Sequence, residues 1–91
     1  MEPQDIPVLP RGVRIHRDRV RDTWVLLAPE RTLVLDDIGH AILSEVDGAR
    51  DFGAIAAGLA VKYAAPVEQI TQDAAAFLGG LRQRRFLDIA R

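Results

Sequence analysis

The chain contains no cysteine among its 91 residues. That absence excludes a disulfide framework, a thiolate nucleophile and a zinc site built on cysteine. Serine is almost missing: Ser44 stands alone, outside any G-x-S-x-G context, so there is no nucleophile elbow. The 7 glycines are scattered and form neither a G-x-G-x-x-G fingerprint nor a phosphate-binding loop. His16 and His40, the 2 histidines, make no H-x-x-x-H or H-x-H pair. They are expected on the outer face of a strand and on the polar side of a helix, respectively. Apolar runs extend only a few residues, far short of a membrane span. The opening MEPQDIPVLP has no basic or apolar signal-peptide region. Neither sign of charge dominates, with 12 basic against 13 acidic residues and a net charge of −1. That balance argues against a general nucleic-acid binder. Lysine is also scarce, Lys62 standing against an otherwise all-arginine basic set. A soluble, cytoplasmic protein without cofactor or metal is expected, and not an enzyme. The adjacent carboxylates Asp36-Asp37 and Glu45/Asp47 suit capping and solvation better than acid–base work.

What the chain does have is apolar residues, 48% of the total, arranged with two successive periods. A chain of this length holds one small core, burying roughly 60–65% of its unfolded surface. Residues 1–10, with Pro3, Pro7 and Pro10, are expected as a flexible N-terminal arm, and 11–91 as a single domain. Residues 13–17 (VRIHR) alternate apolar and polar, as a half-buried strand does. Residues 23–27 (TWVLL) and 32–35 (TLVL) read as two further strands around the turn Ala28–Arg31. The period then becomes helical. Asp36 or Asp37 caps a helix with Ile38, Ala41, Ile42 and Val46 on one face, ended by Asp47-Gly48. Asp51 caps a second, striped by Phe52, Ile55, Ala56, Leu59, Ala60 and Tyr63. Pro66 suits the first turn of a third, striped by Val67, Ile70, Ala74, Phe77, Leu78 and Leu81. Residues 86–89 (FLDI) leave it as a tail or short strand. The expected fold is α+β and winged-helix-like: a three-stranded antiparallel sheet followed by three helices. Gly79-Gly80 is an oddity inside the third helix, where each glycine costs about 1 kcal/mol against alanine. It is either a tolerated weak spot or a place where another backbone packs closely.

A winged helix invites a DNA-binding reading, but the exposed side of the third helix (Glu68, Gln69, Thr71, Gln72, Asp73, Ala76) would repel phosphate. Arginines gather instead at Arg11, Arg14, Arg17, Arg19 and Arg21, interrupted by Asp18 and Asp22, and at Arg82, Arg84 and Arg85. Peptide binding is the other class. If Leu33 and Leu35 face the core, Thr32 and Val34 face away, on a strand with neither Lys nor Pro to blunt its edge. An extended peptide could add there, with pockets supplied by the Ile70/Ala74/Phe77/Leu78/Leu81 side of the third helix. The competing possibility is an edge covered by the chain's own arm or by a second copy.

Several stretches carry a resemblance: Leu9-Pro10-Arg11-Gly12-Val13, Leu27-Ala28-Pro29-Glu30-Arg31, Asp36-x-x-Gly39, and the spacing of Asp47-Gly48, Asp73, Leu78 and Leu81. Over about residues 6–89 the chain resembles the pyrroloquinoline quinone biosynthesis protein D family, PqqD. The resemblance implies a peptide chaperone, a stand-alone recognition element for ribosomal peptides. Such a protein binds the leader of the precursor PqqA and presents it to the radical SAM enzyme PqqE. It implies a leader docked as an added strand on the third strand, in the groove beside the third helix. Carried onto this chain, the peptide-binding residues are Arg31, Thr32, Leu33, Val34, Leu35 and Asp36, with Ile70, Asp73, Ala74, Phe77, Leu78 and Leu81 along the helix. No nucleic acid and no membrane enter this expectation. The working form is expected to be a monomer, although the open edge would permit a strand-exchanged homodimer. The alternatives are a leader-binding domain of another ribosomal peptide pathway or, with less support, a winged-helix DNA-binding regulator. The chain departs from the family pattern at Arg85, where a glycine often precedes the final apolar pair, and at Gly79-Gly80.

Overall fold

The computed structural model describes residues 1–90. Their elements follow in the order β1 (Ile6–Val8), β2 (Arg14–Asp18), β3 (Thr23–Ala28), β4 (Arg31–Leu35), α1 (Asp37–Leu43), α2 (Phe52–Tyr63), α3 (Val67–Gln83) and β5 (Asp88–Ala90). The fold is α+β. β2, β3 and β4 form an antiparallel meander with β3 central, while β1 and β5 pair antiparallel in a separate two-stranded sheet. Registers of Ile15 to Leu26 and of Leu26 to Leu33 put these side chains on one face. That face, with Leu35, meets Leu43, Phe52, Ile55, Leu59, Leu78 and Phe86 in the core.

The helix starts are set by carboxylates. Asp36 is extended, and its Oδ1 accepts from the Gly39 N–H at 2.7 Å. Asp51 does the same for Ala54 at 2.8 Å. Each satisfies one of the orphan donors of a helix N-terminus. α1 is shorter than its sequence pattern suggests. It ends at Leu43, so Val46 lies outside it, and Leu43 rather than Ile38 enters the core: Leu43 is 1% exposed and Ile38 69%. Asp47 builds the turn that follows. Its carboxylate accepts from the backbone N–H of Arg50, that of Ala49 and the Arg50 guanidinium, all of which favour the charged form. These hold its pKa at about 2, below the ordinary 3.8.

The expectation of a flexible arm over residues 1–10 meets a different arrangement. Ile6–Val8 pairs with Asp88–Ala90, and Pro7 is among the fully buried side chains. The Asp5 carbonyl accepts from Phe52 N–H at 2.7 Å, and the Pro3 carbonyl from Gly53 N–H at 2.8 Å. The arm thereby supplies backbone acceptors to two more of the free donors opening α2. It lies against α2 and β5, away from β4.

Arg85 is one of three non-glycine residues with positive φ among those described, at 65°. This is the position where the resemblance expects glycine. The chain turns left-handed there to return Phe86 and Leu87 to the core, at 1% and 3% exposure. A side chain in that conformation costs about 1–2 kcal/mol, partly offset by the unfolded-state freedom that glycine would add.

Two predictions follow from these turns. Arg85→Gly is expected to raise stability by up to about 1 kcal/mol, read as a higher urea midpoint at unchanged m-value. Because the folded pKa of Asp47 is depressed, its stabilising effect is complete above 3.8 and is lost as pH falls through about 2. Urea unfolding across that window should therefore show a shallower loss in Asp47→Asn than in the native chain.

Candidate functional site

β4 is an edge strand: it pairs with β3 on one side and, among the described residues, with nothing on the other. The hairpin loop is two residues long, Pro29-Glu30, closed by the Ala28–Arg31 pair. A loop of that length closes on a hydrogen-bonded pair, and pairs alternate from there. Arg31, Leu33 and Leu35 therefore turn their backbone polar groups toward β3. Those of Thr32 and Val34 point outward, unpaired. β2 is the other edge of the meander. It differs in carrying charge along its length, with Arg14, Arg17 and Asp18.

Beside the β4 edge lies an open cleft of about 750 Å³. Leu33, Val34, Leu35 and Asp36 form one wall. Ala76, Phe77, Gly80 and Leu81 of α3, with Arg84 at its C-cap, form the other. α1 closes one end with Ile38, Gly39 and Ile42. There the packing is tight: a Cβ on Gly39 would stand 3.0 Å from the Phe77 ring and 3.0 Å from Asp36 Oδ1. At the other end Arg31 reaches from β4 to α3. Its Nη1 donates to the Arg84 carbonyl at 2.6 Å, and its guanidinium lies 4.2 Å from the Phe86 ring centroid. This hydrogen bond satisfies a carbonyl at the α3 C-terminus, where a cation is also favoured by the helix dipole. Arg31 thus ties β4 to the C-terminal end of α3, α1 packs on Phe77 at the other end, and the cleft stands open between.

A second, smaller cavity of about 270 Å³ opens at the α1 end, among the three helices. It shares Ile38, Ile42 and Asp73 with the cleft.

The residues expected from sequence divide among these features. Leu33, Val34, Leu35, Asp36, Asp73, Phe77 and Leu81 line the cleft. Thr32 and Arg31 lie on the same strand but outside the lining, Arg31 acting as the end clamp. Ile70 and Ala74 line the smaller cavity instead. Leu78, at 0% exposure, lies in the core cluster with Leu26, Leu35 and Leu43 and is not part of the cleft lining. Sequence reasoning missed Ile38, Gly39, Ile42, Ala76 and Arg84 as cleft residues, along with Thr23. The signal available for Ile38 was its place in the first turn after the Asp36 cap, where a helix has not yet met the core.

Among the described residues no group of three or more His, Cys, Asp or Glu could hold an ion. His16 is exposed on the outer face of β2. His40 is half-buried, not simply solvated, because its ring stacks on Trp24 at 4.1 Å and 11°. No described helix is long and apolar enough to cross a membrane.

These features define a small α+β domain whose free sheet edge borders an apolar cleft. The chain belongs to the PqqD family: the model for coenzyme PQQ synthesis protein D matches residues 23–87. A protein of Rhizobium meliloti (strain 1021) described as a PqqA binding protein is 51% identical over 81 residues, 89% of this chain and 83% of the relative. One of the same description from Xanthomonas axonopodis pv. citri (strain 306) is 44% identical over 89% of this chain and 88% of its own length. Among solved structures, the fold matches the solution structure of the PqqD part of Methylobacterium extorquens PqqCD, described as a functional, stand-alone recognition element for ribosomally synthesised, modified peptides. The TM-score there is 0.81, at 46% identity, covering 96% of this chain and 93% of that one. The crystal structure of PqqD from Xanthomonas campestris matches with a TM-score of 0.61 at 39% identity, over 97% and 98% of the two chains.

Of the glycine pair in α3, Gly80 borders the cleft and Gly79 does not. A Cβ at either would meet nothing within 4 Å, so no backbone of this chain packs against that turn. Gly79→Ala is therefore expected to stabilise the protein by about 1 kcal/mol through helix propensity alone, measured as a raised urea midpoint. Gly80→Ala should gain a similar amount, although Gly80 borders the cleft.

Proposed function

We propose that this chain is a peptide carrier for pyrroloquinoline quinone biosynthesis. It binds the leader of the precursor PqqA as a strand added to β4 and presents the precursor to the radical SAM enzyme PqqE. The observation that carries this reading is the free β4 edge beside an apolar cleft, in a family whose relatives are described as PqqA binding proteins. The outward N–H and C=O groups of Thr32 and Val34 supply a ladder, and the α3 wall supplies side-chain pockets. Chemistry is left to the partner enzyme. By holding precursor and enzyme together, the carrier raises the effective concentration of one at the other. A monomer with its edge free is the working form, since a second copy on β4 would occupy the docking strand.

Titrating synthetic PqqA into isotope-labelled protein should shift backbone amides of residues 31–36 and signals of Phe77, Gly80 and Leu81. Shifts confined to other regions would refute docking at this cleft. Val34→Pro removes an outward ladder donor, and Gly80→Leu fills the open space on the opposite wall. Each should weaken PqqA by about tenfold or more, equivalent to one to two backbone hydrogen bonds, with the fold retained by circular dichroism.

A further inference from the structure

We infer that the smaller cavity at the α1 end takes the side chain of a lysine or arginine from the docked peptide, with its methylenes inside and its cation on Asp37 and Asp73. This rests on the function proposed above and specifies which residue type the same site selects.

Three observations carry it. The first is size. At about 270 Å³ the cavity falls below the usual 300–1,000 Å³ of small-molecule sites and suits one long side chain entering from the adjoining cleft. Asp73, Ile38 and Ile42 border both spaces, so a strand lying along β4 passes the opening.

The second is the lining. Ile38, Ala41, Leu59 and Ile70 give an apolar interior, and the charged residues of the lining are both acidic, Asp37 and Asp73. An aliphatic stem that ends in a cation matches that combination, because long basic side chains bury their methylenes and keep the charge at the surface. Tyr63 is also at the rim, but Lys62 already lies 5.7 Å from its ring centroid, so the incoming cation is assigned to the carboxylates.

The third is charge. Among the described residues neither Asp37 nor Asp73 is in an ion pair, and the bond Asp73 accepts comes from the neutral Gln69 amide at 3.0 Å. At the opposite end of the cleft stand Arg31 and Arg84. The cleft is therefore acidic at its α1 end and basic at its far end, and a peptide with one cation and an apolar run docks in a single direction. Opposite charges placed this way select partner and register as much as they add affinity.

The test uses the full chain and synthetic PqqA, with each lysine or arginine of the peptide replaced in turn by norleucine. That replacement keeps the methylenes and removes the charge. Affinity is measured by calorimetry against the native chain and against Asp37→Asn/Asp73→Asn, leaving the Asp36 cap untouched. The double variant should bind unmodified PqqA about tenfold more weakly, as expected for a lost charged hydrogen bond. One norleucine peptide should lose the same factor on the native chain and nothing further on the variant. Asp73→Asn alone, exposed in the middle of α3, carries the test if Asp37→Asn unsettles the first turn of α1. Equal affinity of native and variant chains, or equal losses for every norleucine peptide on both, would overturn this inference while the amide shifts on β4 still support the docking strand. If native protein shows no β4 shifts with PqqA, the proposed function fails and this inference with it.

Discussion

The structure depends on how β4 is held. It is hydrogen-bonded on one edge only, and its other edge faces α3 across an open cleft. Two contacts fix that separation. At the C-terminal end of α3, Arg31 lies over Phe86 and donates to the Arg84 carbonyl. At the N-terminal end of α1, Gly39 lets the backbone sit against Phe77, with the Asp36 carboxylate folded over the same turn. A strand tied to the helix end by Arg31 and continued into a helix packed on Phe77 can present free backbone groups between them without collapsing onto α3. Asp36 serves two purposes here: its carboxylate starts α1, and its backbone ends the strand.

The N-terminal segment explains why that edge stays free. A Pro-rich start could have added itself to β4 and hidden it. Instead Pro3 and Asp5 give their carbonyls to the first turn of α2, and Ile6–Val8 pairs with β5. With the Asp51 side chain, these acceptors satisfy three of the helix's opening donors. The arm's backbone thus stabilises the helical layer behind the sheet and leaves the front edge alone.

Much of this was legible in the sequence because it is written in local periods. Alternation located β2, apolar β-favouring runs around a turn located β3 and β4, helical spacing located the three helices, and Asp36 and Asp51 marked two starts. What was hidden depends on residues far apart in the chain. The pairing of Pro7 with Ile89 has no local signature, and three prolines in ten residues argue for an unpaired coil. The side of α3 facing β4 could be narrowed only to a stripe. Leu78 and Phe77 are neighbours on that stripe, yet one is at 0% exposure in the core and the other borders the cleft. Arg85 was readable as a departure from the family pattern, and its positive φ supplies the physical content of that departure.

If a peptide adds to β4 as proposed above, the energetics give the cleft more weight than the edge. Thr32 and Val34 offer two donors and two acceptors to an incoming chain. Each resulting bond contributes about 0.5–1.5 kcal/mol net, while ordering each peptide residue costs about 1–2 kcal/mol of backbone entropy. Over a short strand the two terms nearly cancel, so backbone pairing alone would accept any extended segment weakly. On the proposed docking mode, the net affinity would come from side chains entering the space between Val34, Ile38, Phe77 and Gly80. Val34 and Ile38 are 56% and 69% exposed in the free chain, so covering them releases apolar surface at about 25 cal/mol per Å². Of the two α3 glycines, Gly80 borders the cleft, and the absence of a side chain there keeps that part of the wall low.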